Sequence, residues 1–443
     1  MKRVKIWGSL IALAAILSGC FFEPAESLYA VPKQSADFYD LQNAIERAMP
    51  EGANYSPPTA GENQQAVQLA DLDGDSVDEA IVYIKKTGDS PLGVYVFDKT
   101  GDRYSLVAKI EGAGSAFDHV QYVQIDDMPG YEIVIGRQIS DQVSQLLGVY
   151  TLRNGTLMEL MSTDYSAFIT TDLDGNGRQD VFVLRGDGDT QNGIAELYRW
   201  TDGQLARERE ATLSTGVASI KRIITGNMCA GVPAVFVASA YGENSGIITD
   251  IYGFSDGVFT NFSKSDETGA SVKTVRDYYV YSCDIDSDGL IELPHLIPLP
   301  ALVGDENSKN QSLICWYNLL TDGTEQKKKL TYHNYSGGWY LEIPEAWEGR
   351  VAVTRGAGLG SALGYCFLWR GLEKSEELLT IAALSGEHAA QTIRQENWTT
   401  LMQKGDIIYA CHIGDSGIQR GLTYDKLRDM FHFIQVDWKT GET

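Results

Sequence analysis

Cysteine is scarce in this chain, and the few that are present are widely spaced. Six occur in 443 residues, and no two of them form a CxxC pair. This pattern excludes the dense disulfide framework of small secreted domains and offers no zinc-ligand spacing. After Cys20 the number left is odd, so at least one thiol must stay unpaired. These five cysteines are Cys229, Cys283, Cys315, Cys366 and Cys411.

Histidine is equally rare, and the chain lacks a recognisable catalytic constellation. The six histidines are scattered, with no HExxH sequence and no pair on one helical face. Cys411 and His412 adjoin on a predicted strand, where their side chains point to opposite faces. The glycine-rich segment 356–364 lacks the lysine of a phosphate loop. We therefore expect a binding protein rather than an enzyme, with no catalytic residue and no organic cofactor assigned.

Basic residues are outnumbered, with 36 lysines and arginines against 60 acids and a net charge of −24. This balance argues against nucleic acid and anionic membranes as partners, and it suits cations or basic ligands. No apolar run of about 18 residues follows the N-terminal segment, so no transmembrane helix is predicted.

The N-terminal segment has the features of an export signal. Basic residues at positions 2, 3 and 5 precede an apolar stretch, Ile6–Leu17, that is too short to span a bilayer. Leu17–Cys20 reads Leu-Ser-Gly-Cys, which resembles the bacterial lipobox. That resemblance implies cleavage before Cys20 and lipid on its thiol, which would be the only membrane attachment. We therefore expect residues 1–20 to be a lipoprotein signal and the mature protein to lie on the extracellular face of the cell membrane.

Residues 21–65 are predicted to hold one helix and a linker. Within Ser35–Met49, apolar residues recur at spacings of three and four, which indicates a helix with one apolar face. The helix is interpreted as a spacer or as a cap on the next domain. Glu51–Gln65 is rich in proline and small polar residues and reads as a linker.

From Ala66 to about Leu302 the sequence repeats one unit five times. Each unit has an apolar strand, a loop that is acidic in most copies, a second apolar strand, and then one or two strands closed by a glycine turn. Equivalent loop positions are 46 to 57 residues apart, which is the size of one four-stranded propeller blade. The predicted fold is mainly β, with a propeller-like array of about five blades over 66–329. A lone blade cannot bury both of its faces, so neighbours must stack.

Residues 330–443 are predicted to form a smaller α+β domain. Strands around Tyr340–Ile343 and Val351–Arg355 are followed later by a helix over Thr423–Phe433. The stretch WYLEIPEAW and this order of elements are similar to PsbP-like domains of secreted bacterial proteins.

Three of the loops place oxygen donors at alternate positions. Carboxylates or an amide at positions 1, 3, 5 and 9, with a main-chain carbonyl at position 7, can wrap a hard cation with six or seven oxygens. Glycines at positions 4 and 6 permit the positive φ angles of such a turn. The spacing predicts three structural Ca²⁺ ions. The predicted ligands are Asp71, Asp73, Asp75, Val77 and Glu79 in the first loop, Asp172, Asp174, Asn176, Arg178 and Asp180 in the third, and Asp284, Asp286, Asp288, Leu290 and Glu292 in the fifth.

This pattern resembles the FG-GAP and VCBS repeats, whose loop reads roughly D-x-[DN]-x-[DN]-G-x-x-D ahead of a buried strand. The loop at Asp172 matches at every ligand position, whereas the first has Ser76 where glycine is usual. The second repeat reads as a shortened loop that keeps Asp126, Asp127 and Glu132. The fourth, over Thr225–Pro233, has no carboxylate and is excluded as a metal site.

Taken together, these features predict a lipid-anchored, calcium-stabilised surface module for binding, adhesion or scaffolding. Its partner would be a surface protein or a glycan. The alternative is an extracellular polysaccharide lyase or hydrolase built on a propeller, and a structural subunit of an envelope complex is a third option. Acidic turns that hold no metal remain the alternative for the loops.

Overall fold

The computed structural model describes residues 36–139, 145–186, 191–242, 246–277, 280–371 and 374–435. The signal segment and Cys20 lie outside this part of the chain. No helix in the described ranges is both long and apolar enough to span a bilayer. The mainly β architecture predicted from the repeats is confirmed: the described strands form six antiparallel sheets that follow one another along the chain.

Four of the five repeats each form one four-stranded meander, and the fifth forms a larger sheet. Sheet 1 also carries the short strand β1 (Asn54–Tyr55), which pairs with the end of β3. The remaining strands of sheet 1 are β2 (Val67–Ala70), β3 (Glu79–Lys85), β4 (Leu92–Thr100) and β5 (Arg103–Gly112). Sheet 2 consists of β6 (Ala116–Val123), β7 (Glu132–Gln138), β8 (Gln145–Arg153) and β9 (Thr156–Tyr165). Sheet 3 consists of β10 (Ala167–Thr171), β11 (Asp180–Gly186), β12 (Gly193–Thr201) and β13 (Gln204–Thr212).

Sheet 4 consists of β14 (Ile220–Cys229), β15 (Val232–Tyr241), β16 (Gly246–Ser255) and β17 (Val258–Asn261). Sheet 5 consists of β18 (Leu293–Pro298), β19 (Ser312–Leu319), β20 (Glu325–Asn334), β21 (Trp339–Glu342) and the C-terminal β27 (Phe431–Phe433). Its first repeat strand is reduced to a single bridge between Cys283 and Glu292.

Sheet 6 has no counterpart among the predicted repeats. It consists of β22 (Val351–Ala357), β23 (Leu363–Arg370), β24 (Ser375–Ser385), β25 (Thr399–Lys404) and β26 (Ile407–Ile413), with β26 between β24 and β25. The α-helices of the described residues are α1 (Ala36–Ala48), α2 (Ala389–Gln395), α3 (Asp415–Gln419) and α4 (Tyr424–Met430).

A β-bulge recurs at one place in the fourth strand of the repeat. In sheets 1, 2, 3 and 5 one residue of this strand is left unpaired beyond the fifth residue of the third strand, and in sheet 6 the same happens in β24 beyond the fifth residue of β23. A bulge bends the strand and increases its twist. Because sheet 6 has the same bulge, in β24 opposite Phe367 and Leu368, its first three strands follow the geometry of the last three strands of the repeat, although its sequence has lost the loop signature.

Neighbouring sheets pack face to face, and helices cover the two outer faces. In β3, Ile81 and Tyr83 face sheet 2, whereas Ala80, Val82 and Ile84 face α1. This alternation explains why the strand is apolar throughout. At the other end, Ile393 of α2 packs on the outer face of sheet 6. Among the described residues no buried cluster joins sheet 1 to sheet 6.

The strand pairing places the end of the fifth repeat later than the domain boundary predicted between residues 329 and 330. Position 330 lies inside β20, which pairs with β19 as the fourth strand of the fifth repeat. The fifth sheet therefore continues to Glu342 and takes its last strand from Phe431–Phe433. Beyond it, residues 351–430 hold sheet 6 with three short helices. These contact sheet 5 through a shared core that includes Tyr332, Trp339 and Phe367.

The N-terminal prediction is close to the observed structure. The predicted helix is α1, and Leu41, Ala44, Ile45 and Ala48 bury its apolar side against sheet 1. The segment predicted as a linker is attached to sheet 2, where the Thr59 and Ala60 amides donate to the carbonyls of Phe117 and Asp118. The five downstream cysteines are all free thiols.

Candidate metal loops

A buried carboxylate at loop position 9 sets the register of each acidic loop. The second oxygen of Glu79 accepts a hydrogen bond from the Leu72 amide at 2.6 Å, seven residues earlier. The same bond runs from Leu173 to Asp180 at 3.2 Å and from Ile285 to Glu292 at 3.0 Å. These carboxylates open the second strand of their repeats, so the β-sheet fixes them at the base of the loop.

Three carboxylates converge in each of the three predicted loops. One carboxylate oxygen from each of positions 1, 3 and 9 lies within 4.8 Å of the other two. Acids this close repel one another unless a cation or protons offset their charge. The three clusters can therefore hold metal ions, as the spacing predicted. They are Asp71, Asp73 and Glu79; Asp172, Asp174 and Asp180; and Asp284, Asp286 and Glu292.

The side chains at position 5 are not part of these triads; instead they stabilise the turn through hydrogen bonds to its backbone. Side-chain oxygens of Asp75, Asn176 and Asp288 accept from the backbone amide two residues later, at 2.8 to 2.9 Å. The main-chain ligands at Val77, Arg178 and Leu290 stay predictions. Positions 4 and 6 have positive φ in each loop, and two of them are not glycine: Ser76 at 70° and Ser287 at 61°.

The seventh residue of the third strand faces each position-9 carboxylate across the pairing of the second and third strands. In the first repeat this residue is Asp98, whose charge adds to the repulsion on Glu79 and Asp73. The third repeat has Arg199 there and the fifth has Asn318, which donates to Glu292 at 2.8 Å. These residues lie outside the sequence pattern because they come from another strand, 19 to 26 residues after the position-9 carboxylate, and only the pairing of the second and third strands brings them to the loop.

Glu79 has the strongest requirement for a cation. Its side chain is fully buried, and its other carboxylate oxygen, Oε1, has no hydrogen-bond partner among the described residues. Burial raises the pKa of Glu79 to about 7, with nearby Asp73 and Asp98 adding to the effect. A buried acceptor left without a partner is costly. A hard cation bound by the triad would satisfy it.

Basic side chains contact the other two clusters. The Arg199 guanidinium is paired with Asp174 and lies 3.5 Å from Asp180. In the fifth repeat, Lys328 from β20 pairs with Asp288 and lies 3.9 Å from Asp286. Burial also raises the pKa values of Asp180 and Glu292 to about 7. A metal entering either loop has to compete with these cations.

The second repeat carries an arginine beside its acids, where the first loop has no basic partner among the described residues. The bond from the Ile125 amide to Glu132, at 2.8 Å, fixes Gln124 at position 1, so the loop has full length. The prediction of a shortened loop was therefore wrong: Gln124 rather than Asp126 is equivalent to Asp71. Arg153 pairs with Asp126 and lies 3.6 Å from Glu132, which places a fixed positive charge between the two acids.

The fourth repeat replaces the loop with a tight turn and a buried polar network. Its first two strands meet at a hairpin after Cys229, with no acid between Thr225 and Pro233. Asp250 of β16 is fully buried and accepts from Ser214, Asn261 and Ser271 at 2.6 to 2.9 Å. This network stabilises the sheet without a metal.

Successive loops are joined by a recurrent hydrogen bond. The amide at position 8 of one loop donates to the carbonyl at position 1 of the loop before it. The three bonds are Tyr131 to Asp71 at 2.9 Å, Gln179 to Gln124 at 2.7 Å, and Ile291 to Asn227 at 2.8 Å. Gly74 lies against Pro129 of the next loop so closely that a Cβ there would be 2.4 Å from the proline side chain. The loops therefore form a row along one side of the stack, in which these bonds link the first three repeats to one another and the fourth repeat to the fifth.

Comparison with known proteins gives only remote likenesses. No family model matches the chain, and no curated protein matches it. Among solved structures, rhamnogalacturonan lyase PL11 of Bacillus licheniformis is 14% identical with a TM-score of 0.26, over 74% of this chain and 72% of that one. A protein from Lactobacillus plantarum is 11% identical with a TM-score of 0.26, over 72% and 85%. The exotype rhamnogalacturonan lyase YesX is 12% identical with a TM-score of 0.28, over 72% and 62%. Likenesses this remote say nothing about what the chain binds.

Proposed function

We propose that this chain is a calcium-binding surface protein of the FG-GAP and VCBS repeat type, anchored by lipid at Cys20 and acting as a binding or scaffold module. The observation that carries the proposal is the buried, unpartnered Oε1 of Glu79 in a triad of converging carboxylates. A buried anion in this setting is stable only with protons or a cation beside it.

Calcium fits the donor chemistry better than other metals. The three clusters offer carboxylate oxygens only, which suit hard cations such as Ca²⁺ and Mg²⁺. The nine-residue loops, with the main-chain carbonyl ligand predicted at position 7, favour the larger ion, because Mg²⁺ demands a near-ideal octahedron. The first loop would hold the ion through Asp71, Asp73 and Glu79, with Asp98 adding negative charge nearby.

The metal would be structural. It would offset the repulsion within each loop and hold the loop beside its neighbour, to which it is already bonded through the amides of Tyr131, Gln179 and Ile291. A ligand that binds only the folded state stabilises it by about 2.7 kcal/mol at a hundredfold excess over its Kd. Calcium outside the cell would thus hold the stack together while other surfaces bind the partner, a surface protein or a glycan.

Calorimetry on the mature chain tests the metal directly. We expect the Tm to rise by several degrees between EDTA and 1 mM Ca²⁺, with a smaller rise in Mg²⁺. Glu79→Gln should remove one site from the titration, and a variant with Asp172, Asp174 and Asp180 changed to alanine should remove another. Asp102→Asn, in an exposed turn outside the loops, is the matched control. If Ca²⁺, EDTA and these substitutions all left the Tm unchanged, the proposal would be wrong.

Anchoring and binding need separate experiments. Metabolic labelling with a fatty acid should mark the expressed protein and not its Cys20→Ala variant, and surface proteolysis of intact cells should degrade the labelled protein. A glycan array and a pull-down with Ca²⁺ present should then yield a ligand. Recovery of unlabelled protein from the cytosol would contradict the anchor. An extracellular lyase or hydrolase stays the alternative, which release of sugar fragments from polysaccharides would favour.

A further inference from the structure

A cavity of about 350 Å³ opens at the end of sheet 5 opposite its metal loop, lined by residues from both faces of that sheet and by Arg355 and Tyr365 of sheet 6. β18 leaves the loop at Leu293, and the cavity begins near its far end at Leu296, by the first residue of β19 and the last of β20. A strand rises about 3.3 Å per residue, so the cavity lies roughly 10 Å or more from the carboxylates of the loop. This volume is within the range of small-molecule sites.

The cavity is rich in groups that bind hydroxyls. Gln311 and Asn334 are buried amides on its wall, and Ser312 and Ser336 add hydroxyls. Tyr332 donates to Gln311 Oε1 at 2.7 Å, which fixes the orientation of that amide. A small number of placed polar groups in a concave site gives orientation and specificity to a ligand.

Aromatic rings provide the apolar part of the wall. His333, Tyr335 and Tyr365 line the cavity, and the rings of His333 and Tyr335 lie 5.4 Å apart. The C–H faces of a pyranose ring pack on such surfaces, whereas its hydroxyls require the amides beside them. Aromatic faces next to amides are therefore the complement of a sugar ring.

His333 strengthens this match. Both of its ring nitrogens are buried, and neither has a hydrogen-bond partner among the described residues. Burial lowers the pKa of His333 to about 3, so the imidazole is neutral at physiological pH. A neutral imidazole carries one donor and one acceptor. A hydroxyl also donates and accepts, so it can satisfy either nitrogen.

Arg355 adds a positive charge at the rim. It extends from β22 of sheet 6 to the cavity, and in the described part of the chain no carboxylate pairs with it. An unpaired guanidinium beside a binding cavity is unusual in a chain of net charge −24. Guanidinium groups bind carboxylates in a two-pronged geometry.

We infer that this cavity binds a sugar acid, a pyranose that carries one carboxylate, with Arg355 on the carboxylate, the aromatic rings on the sugar face, and Gln311, His333 and Asn334 on its hydroxyls. The inference names the ligand class of the binding module proposed above and therefore rests on that proposal. A dianion such as phosphate is a poorer match, because a single arginine faces it and the rest of the wall is neutral.

Calorimetric titration of the mature chain in 1 mM Ca²⁺ tests the inference. The probes are D-galacturonate, D-glucuronate and a galacturonate trimer, with D-galactose, D-glucose and inorganic phosphate for comparison. At least one acid should bind tenfold or more tightly than its neutral counterpart and than phosphate. If the trimer binds more tightly than the monomers, the natural ligand is a segment of a polysaccharide. If trimer and monomers bind equally, the natural ligand is a free sugar acid.

Matched variants locate the site. Arg355→Gln should abolish the preference for acid over neutral sugar, whereas Arg370→Gln, an exposed arginine at the other end of the same sheet, should leave it unchanged. His333→Phe should weaken binding of both sugars at least fivefold. Since this change could disturb the core, His333→Gln, which retains a neutral donor and acceptor, should restore part of the binding.

Equal affinity for acid and neutral sugar, tighter binding of phosphate, or an acid preference that survives Arg355→Gln would overturn the inference. If calcium stabilises the chain but no sugar acid binds, the inference fails and the calcium-binding module stands. If calcium has no effect on Tm, that proposal fails whatever the sugar titration gives.

Discussion

At the scale of single residues, the side chain that faces each position-9 carboxylate determines what its loop can hold. Asp98 in the first repeat adds negative charge, whereas Arg199 in the third contributes a cation. The third loop therefore matches the sequence pattern best and yet contains a competitor for the metal. The first loop departs from the pattern at Ser76 and has the least compensated acids.

Replacing Arg199 with glutamine should separate the two roles of this side chain. In Ca²⁺ the third loop should bind several-fold more tightly, because the ion no longer competes with the guanidinium. In EDTA the variant should lose roughly 1–2 kcal/mol of unfolding free energy, since Asp174 and Asp180 lose the guanidinium that pairs with them. Calorimetric titration and urea unfolding measure these effects. Arg209→Gln on the same sheet is the control, since in the described part of the chain the Arg209 side chain bonds only the carbonyl of its neighbour. Weaker calcium binding by the Arg199 variant would contradict this account.

A second residue-scale prediction concerns pH and lies away from the metal loops. Asp118 accepts from Tyr165 and contacts His119 Nδ1 at 2.9 Å, while the ring of Phe168 and Gly61 pack against the imidazole. The contact with His119 lowers the pKa of Asp118, and the same contact raises the pKa of His119 above 6.5. The pair should therefore stabilise the fold most between about pH 4 and 6.5.

The two sides of this window have different causes. As the pH falls through the lowered pKa of Asp118 its contribution is lost, and as the pH rises through the raised pKa of His119 the imidazolium contribution is lost. His119→Asn should thus cost more unfolding free energy at pH 5.5 than at pH 8, measured by urea unfolding at both values. An equal loss at the two pH values would show that the imidazolium contributes nothing.

The sequence predicted the loop ligands better than it predicted their surroundings. Alternate acids such as Asp172, Asp174 and Asp180 are visible in one nine-residue window, so their convergence could be foreseen. Asp98 and Arg199 reach the loops from another strand, through strand pairing that a local sequence window does not show. The hydrogen bond that places Gln124 at position 1 is also long-range information, which a sequence pattern does not carry.

At the scale of elements, the helix α1 closes the open face of the first sheet. Ile45 is 4% exposed and packs among the apolar side chains of β3 and β4, while Asp40 accepts from the Tyr104 amide of β5. Ile45→Asp should cost about 3 kcal/mol or more of unfolding free energy, because it buries a charge without a partner. Asn43→Ala on the exposed side of the helix should change stability by under about 0.5 kcal/mol.

Thermal melting and size-exclusion chromatography check this prediction. Ile45→Asp should lower the Tm and promote association, since the uncovered sheet face is apolar. A variant that melts with the wild type and stays monomeric would show that α1 is not needed as a cap.

The repeats could be predicted as elements, but the place where they end could not. Five sheets follow from strand and loop patterns that recur in the sequence. The sixth sheet retains the bulge opposite Phe367 and none of the acids, so its likeness to the others lies in backbone geometry alone. The strand at Phe431–Phe433 joins sheet 5 from the C-terminal part of the chain. No local sequence pattern predicts its pairing with β21, about 90 residues earlier.

At the scale of the whole molecule, the described sheets form a stack in which each touches its neighbours and helices cover both outer faces. In such an array stability is approximately the sum of the sheets and the interfaces between them. The row of loops adds a second set of links, from Asp71 through Tyr131 and from Gln124 through Gln179. A metal that orders one loop should therefore also order the amide of the loop that follows it.

Hydrogen exchange at single amides tests this coupling. In 1 mM Ca²⁺ the amides of Tyr131, Gln179 and Ile291 should exchange slowly, and EDTA should accelerate all three. Glu79→Gln should accelerate Tyr131, whose acceptor Asp71 belongs to the damaged site, by tenfold or more. It should leave Ile291 unchanged, because three sheets lie between the two loops and local opening is confined to contiguous units. Acceleration of all three amides to the same extent would instead mean that the stack opens as one cooperative unit. No change at Tyr131 would mean that metal binding does not affect the hydrogen bonds between successive loops.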